Sequence, residues 1–213
     1  NEWNALNILT QNASRVGAID LGLYQLTNKD NFPILNRLDT NEFKLLYLLG
    51  ADELEFNKKN EFIVYQGSHG DIGAEIADVI LPGSAYTEKD GHFVNLEGRI
   101  QKAFKASYPP GEAKENWEII NNLSIALGKS LNIENRNVLE NKLINSNVIF
   151  SKVGEILKTN IDINETRNAK FVNSKIEIDF LDYYFSNHIA RSSMTMKECR
   201  TIKKKLLSEG NKL

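Results

Sequence analysis

Cysteine is all but missing: Cys199 is the only one in 213 residues, so no disulfide can form within the chain and the redox compartment stays open. An iron-sulphur cluster takes about four thiolates, and a structural zinc about four Cys or His ligands. One cysteine and three histidines (His69, His92 and His188), scattered rather than set at helical spacing, do not predict either. An excess of one charge is also missing. The 26 basic and 28 acidic residues leave a net charge of -2, which offers no field to hold a phosphate backbone, so nucleic acid is not an expected partner. Long apolar runs are absent too. Leu45 to Leu49 and Val79 to Leu81 fall far short of the ~20 residues of a spanning helix, so a soluble chain without direct membrane insertion is expected. No methionine, charged n-region or Arg-rich presequence opens the chain, and Asn1-Glu2-Trp3 reads as a cut boundary.

What is present is a globular composition, 41% hydrophobic, enough for one domain with or without an appended helical segment. Leu6, Leu9, Ala13, Val16 and Ala18 approach a 3.6 period and predict a helix over 1–22 that stops at Gly22, followed by a loop through Pro33. Phe43 to Leu49, closed by Gly50-Ala51-Asp52, reads as a buried parallel strand, as does Phe62 to Tyr65. Ile72 to Ala77 predicts a short helix, and Val79 to Leu81 a third strand stopped by Pro82-Gly83. Strands alternating with short helical links indicate an open, mostly parallel α/β sheet. Tyr86 to Gln101 reads as an irregular or hairpin segment, and Pro109-Pro110-Gly111 as a break. Beyond it, Trp117, Ile120, Leu123 and Leu127 predict a helix capped by Gly128. Val138 to Leu157 reads as largely helical with interruptions at Asn145 to Asn147, 158–175 as loop, and Met194 to Leu207 as a basic surface helix. The division expected is an α/β domain over 1–128 and a helical and loop extension over 129–213.

Several groups invite chemistry and each has a plainer role. Gly67, Gly70 and Gly73 follow a strand, as in a phosphate-cradling loop, but the pattern is neither G-x-G-x-x-G nor a P-loop. Left-handed turns, at Gly70 above all, or close backbone approach is the expectation. Glu88, Lys89, Asp90 and Glu97 could supply an acid and a base, yet loop charges are usually solvated, and His92 is unpaired in sequence. Asp78, before an apolar run, suits a backbone cap. Arg99 after Glu97-Gly98 could clamp an anion, with an internal ion pair the expected role. Ser192-Ser193 reads as a helix N-cap rather than a nucleophile, and Cys199 as a packed or idle thiol. No catalytic, cofactor-binding or metal-ligating residue is therefore assigned.

The run Tyr65-Gln66-Gly67-Ser68-His69-Gly70-Asp71-Ile72-Gly73-Ala74, then Ala77-Asp78-Val79-Ile80-Leu81-Pro82-Gly83, Tyr86-Thr87-Glu88-Lys89 and Glu97-Gly98-Arg99, resembles the molybdopterin oxidoreductase superfamily. Within it, the Gln-Gly-x-His-Gly-Asp element is most similar to the largest iron-sulphur subunit of respiratory complex I, which occurs in bacteria and, as the 75 kDa subunit, in mitochondria. Leu6-Asn7-Ile8-Leu9 and Asp20-Leu21-Gly22 resemble the part upstream of that element, and Tyr183 through Met196 and Cys199 resemble the subunit's C-terminus. Residues 129–175 match weakly.

The resemblance implies the C-terminal part of that subunit, an α/β scaffold in which the superfamily's pterin is not retained. Iron-sulphur clusters would belong to the N-terminal part that precedes residue 1. Implied partners are that part and the other peripheral-arm subunits, including the flavin-bearing NADH-binding subunit. The implied place is the matrix side of the mitochondrial inner membrane, or the cytoplasmic face of a bacterial plasma membrane. The alternative is a fragment of an active molybdopterin enzyme such as a formate dehydrogenase, with Gly67 to Gly73 and Arg99 on the pterin phosphates.

Overall fold

The computed structural model describes residues 9–10, 12–23, 37–38, 40–51, 56–157 and 182–210. The first turns of the helix expected over 1–22, the loop through Pro33 and the loop expected over 158–175 lie outside the described residues. Among the described residues of that helix, Leu9, Thr10 and Asn12 to Ser14 are not helical, which corrects the expectation there, and only α1 (Arg15–Asp20) forms. It stops as expected, because Gly22 takes a φ of 70° and lets Leu23 N–H reach the Ala18 carbonyl and its own N–H reach that of Ile19.

Three short strands, β1 (Leu45–Leu49), β2 (Phe62–Gly67) and β3 (Val79–Pro82), form a parallel sheet in the order β1-β2-β3. Leu48 faces Tyr65 across the first pair, and Tyr65 faces Ile80 across the second. The strands are short apolar runs bounded by turn residues, Gly50 (φ 61°) after β1 and Gly83 after β3. Leu48, Ile63 and Tyr65 make the core of this layer, with Leu46, Phe56, Ala74 and Ile76 packed on it. The crossover from β2 to β3 runs through a glycine loop and α2 (Ile72–Glu75), which Asp71 caps by accepting the Ile72 N–H at 2.9 Å. Asp78 caps backbone as expected, but on β2: Oδ2 accepts the Ile63 N–H at 2.8 Å while Oδ1 pairs with Lys58.

The irregular stretch resolves into an antiparallel hairpin, β4 (Gly91–Val94) and β5 (Ile100–Ala103), turning at Gly98, whose φ is 81°. Helix α3 (Asn116–Ala126) ends at Gly128 by the same device as α1, with Lys129 N–H on the Ser124 carbonyl. Helix α4 (Arg136–Ser146) ends within the interruption expected at Asn145 to Asn147, but no α-helix resumes beyond it toward Leu157. Asn147 leaves the helical conformation, donates to the Asp20 carbonyl of α1 and caps a 3-10 turn over Val148–Ser151. Val153 then bridges Ile100 instead of continuing a helix. A second core joins these parts: Val94, Ile100 and Phe150 are buried against Val16, Leu143, Ile144 and Ile149. It draws on residues from both sides of position 128.

The C-terminal segment is α5 (His188–Ser192) and α6 (Met194–Gly210), the expected basic helix. Ser193 takes the N-cap role at α6, accepting from Met196 N–H, while the Ser192 hydroxyl donates to the His188 carbonyl. Asp182 pairs with Arg200, whose guanidinium also lies 4.1 Å from the Phe185 ring centroid. Cys199 is a half-buried thiol on this helix. Among the described residues no helix is long and apolar enough to cross a membrane.

Candidate functional site

Open α/β sheets receive ligands at the carboxyl ends of their strands, where the strand order reverses. Here β1, β2 and β3 are neighbours in chain order, and among the described residues Gln66, Ser84, Asn116 and His188 meet beyond their carboxyl ends. Gln66, at the end of β2, is wholly buried and meets its hydrogen-bonding needs there. Its Oε1 accepts from the Tyr47 hydroxyl, and its Nε2 donates to Asn116 Oδ1 at 3.1 Å. Burial raises the Tyr47 phenol above its ordinary range. Asn116 comes close because position 83 is glycine: a Cβ there would lie 2.9 Å from Asn116 Oδ1. What remains is a crevice of about 100 Å³ lined by Gly67, Ser68, Ser84, Lys89, Asn116 and His188, among others.

The glycine loop is shaped by Tyr65. Its ring lies over Gly67 and under Gly73, and its hydroxyl donates to the His69 carbonyl at 2.8 Å. A Cβ on Gly67 would fall 2.2 Å from the Tyr65 hydroxyl oxygen, and one on Gly73 only 2.8 Å from the Ala51 carbonyl. These two glycines therefore serve close approach. Gly70 corrects the expectation of a left-handed turn: its φ is not among the positive values and a Cβ would meet nothing within 4 Å.

The C-terminal segment docks on this loop. Arg191 Nε donates to Asp71 Oδ2 at 2.7 Å, and the His188 and His69 rings lie 4.7 Å apart. The Ser68 hydroxyl sits 3.0 Å from His69 Nδ1 and 3.5 Å from His188 Nε2. Two histidines that look scattered in sequence are thus neighbours, because α5 crosses the loop. His92 is elsewhere. It is buried on β4 against the Phe150 ring, its Nε2 3.7 Å from Glu140 without a hydrogen bond, and burial lowers its pKa against the pull of that carboxylate. Among the described residues no three His, Cys, Asp or Glu side chains converge as metal ligands.

The remaining candidates make hydrogen bonds within the chain. Glu88 accepts the Ala85 N–H, Asp90 the Lys105 N–H, and Glu97 is an exposed hairpin residue touching Asn95. Lys89 departs from the solvated-loop expectation: it is partly buried and donates to the Ser84 carbonyl at 3.3 Å. Arg99 has no carboxylate partner among the described residues. Its guanidinium donates to the Gly154 carbonyl at 3.0 Å, because the Val153 bridge brings that backbone alongside β5. Reading by residue type gave no role to Glu115, yet it is a hub at the start of α3. Its Oε2 accepts from Trp117 Nε1 at 3.0 Å and Arg136 at 2.9 Å, and its Oε1 lies 3.8 Å from Lys105. A lone Glu before Asn-Trp carries no signal of that.

The chain is 44% identical over 205 residues to the NADH-ubiquinone oxidoreductase 75 kDa subunit of Reclinomonas americana, a match covering 95% of this chain and 29% of that protein. It is 41% identical over 210 residues to the NADH-ubiquinone oxidoreductase 78 kDa subunit, mitochondrial, of Candida albicans, covering 93% and 28%. It is 40% identical over 210 residues to a subunit of the NADH-quinone oxidoreductase of Rickettsia bellii, covering 98% and 29%. The chain thus spans under a third of the length of these relatives. The family profile described as molybdopterin oxidoreductase matches residues 1–126, more than half of the sequence, and the chain belongs to that family.

Proposed function

We propose that this chain is a noncatalytic structural segment of the largest iron-sulphur subunit of complex I, the enzyme that as a whole passes electrons from NADH to quinone and pumps protons. The observation that carries the reading is the filled crevice at the strand ends. A cofactor pocket is commonly about 300 to 1,000 Å³, and the crevice at the strand ends is about 100 Å³. The cavity of about 420 Å³ on the other side of Lys89 and Asn116 lies away from the glycine loop, against α1, α4 and Phe150. The pterin that the family's description suggests does not fit there, since Gln66 and the Tyr65 ring stand in its way and both are buried and hydrogen-bonded. Iron-sulphur clusters would be carried by the part of the subunit outside this chain. Partners would be that part and the other peripheral-arm subunits, including the flavin-bearing NADH-binding one. A face for such partners exists: Val79, Ile80, Leu123, Ile125 and Leu127 are exposed, beside an apolar groove of about 570 Å³ along β3 and α3. With relatives named as mitochondrial and as bacterial, the place would be the matrix side of the mitochondrial inner membrane or the cytoplasmic face of a bacterial one.

The test is made on the assembled enzyme. Acid extraction should release no stoichiometric pterin or molybdenum. Gln66→Ala should lower the amount of assembled complex on a native gel while leaving NADH oxidation per flavin unchanged. Stoichiometric pterin, or full assembly with about tenfold lower activity per flavin, would sink the proposal.

A further inference from the structure

The small crevice that Gln66 leaves open has more hydrogen-bond donors than the chain satisfies. Lys89, partly buried at its wall, donates to one carbonyl, that of Ser84, and forms no ion pair among the described residues. The acidic side chains near it are engaged elsewhere: Glu115 by Trp117, Arg136 and Lys105, Glu88 by the Ala85 N–H, and Asp90 by the Lys105 N–H. Among the described residues no acidic side chain lines the crevice. Ser84, also in its wall, is 3% exposed, and its hydroxyl oxygen has no hydrogen-bond partner. A buried hydroxyl without a partner costs roughly 1 to 3 kcal/mol and calls for an occupant. Asn116, the first residue of α3, lines the same space, at a helix start where the Glu118 carboxylate accepts the Glu115 N–H. Burial lowers the ammonium of Lys89 below its ordinary pKa and outweighs the upward pull of the Glu115 and Glu88 carboxylates, so a bound negative charge would further favour its protonated form.

We propose that this crevice binds one small oxyanion of the phosphate or sulphate class, with Lys89 Nζ and the Ser84 hydroxyl as donors. Its volume of about 100 Å³ suits a single tetrahedral ion or a few waters, at about 30 Å³ of liquid volume per water. A nucleoside does not fit. The bound ion is a structural counter-charge set between β2, the loop after β3 and the start of α3.

The experiment uses the full chain with inorganic phosphate as the probe, against chloride at matched ionic strength. Equilibrium dialysis should show one bound phosphate, and the melting temperature should rise saturably with phosphate by mass action. Lys89→Met should weaken binding at least about tenfold while melting no lower than the wild type in chloride, because it removes a charge that lacks an ion pair. Ser84→Ala should weaken it several-fold and decides the matter if Lys89→Met does not fold. No bound phosphate at about 10 mM, or unchanged binding by Ser84→Ala, would overturn the proposal. So would ATP binding more tightly than phosphate, since that requires a nucleotide pocket. The readout involves no electron transfer, so its failure leaves the structural reading untouched.

Discussion

Arg191 and Asp71, 120 positions apart, meet through a 2.7 Å contact between Nε and Oδ2 that fastens the C-terminal segment to the glycine loop. Both side chains are mostly covered, at 14% and 23% exposure, so the pair is worth more than a surface ion pair. Arg191→Ala should destabilise by about 1 to 3 kcal/mol and speed hydrogen exchange in 182–210 before it affects the sheet. Burial pushes the Asp71 carboxyl up, but the Arg191 bond and the Ile72 N–H overcome it and hold the pKa below its ordinary value. A depressed folded-state pKa stabilises fully above the unfolded value of about 3.9 and is lost as pH falls through the folded one. The protection factor of α6, exchange with its intrinsic base-catalysed rise divided out, should therefore be constant at neutral pH and fall only in acid. A fall in protection between pH 6 and 8 would point to another clamp.

The glycines of the loop should separate by mutation. Gly67→Ala drives a methyl into the buried Tyr65 hydroxyl and should cost about 1 to 3 kcal/mol, with Gly73→Ala similar. Gly70→Ala meets open space at an ordinary φ and should stay within about 0.5 kcal/mol of the wild type. Chemical denaturation of the three variants checks the order. Equal losses at all three would mean that the loop is shaped by something other than Tyr65.

His92 should set a second pH dependence. Burial lowers its pKa and Glu140 only partly offsets this, so the folded state prefers the neutral ring. The stabilisation is complete above the unfolded value of about 6.5 and is lost as pH falls through the depressed folded value. Stability measured by urea denaturation should drop from pH 7 to pH 5, and His92→Phe should flatten that slope.

Arg99→Ala removes one hydrogen bond to a backbone carbonyl and no carboxylate partner. The expected loss is about 1 kcal/mol with the hairpin intact, measured by thermal melting. A loss of several kcal/mol would reveal a buried acid that Arg99 neutralises.

Much of the fold was legible because its signals are local. The parallel strands are apolar runs ended by Gly50 and Gly83, and α1 and α3 stop at glycines whose positive φ needs no distant partner. The misreadings concern what a residue touches across long separations. Residue type marked Gly67, Gly70 and Gly73 alike, but only a ring folded over the chain shows which two cannot carry a Cβ. An Arg after Glu-Gly suggests an ion pair, yet the Val153 bridge supplies a carbonyl instead. The interruption read at Asn145 to Asn147 is where α4 ends, but the helix read beyond it to Leu157 is a 3-10 turn and a bridge, because the Asn147 amide finds the end of α1 127 positions away. The His69–His188 pair and the Gln66–Asn116 bond have no counterpart in sequence spacing, and they define the crevice.

The docking of α5 on the glycine loop also sets an order of events during synthesis. The three strands and α2 lie within 38 positions of one another in the numbering, 45 to 82, and can pair as soon as they leave the ribosome. The loop between them must wait more than a hundred further residues for Arg191. A polypeptide cut short before α5 would therefore carry a folded sheet with an unfastened loop. A loop without the Arg191 pair should open more often, and local opening is what a protease cuts, so such a truncated product should be cleaved there first.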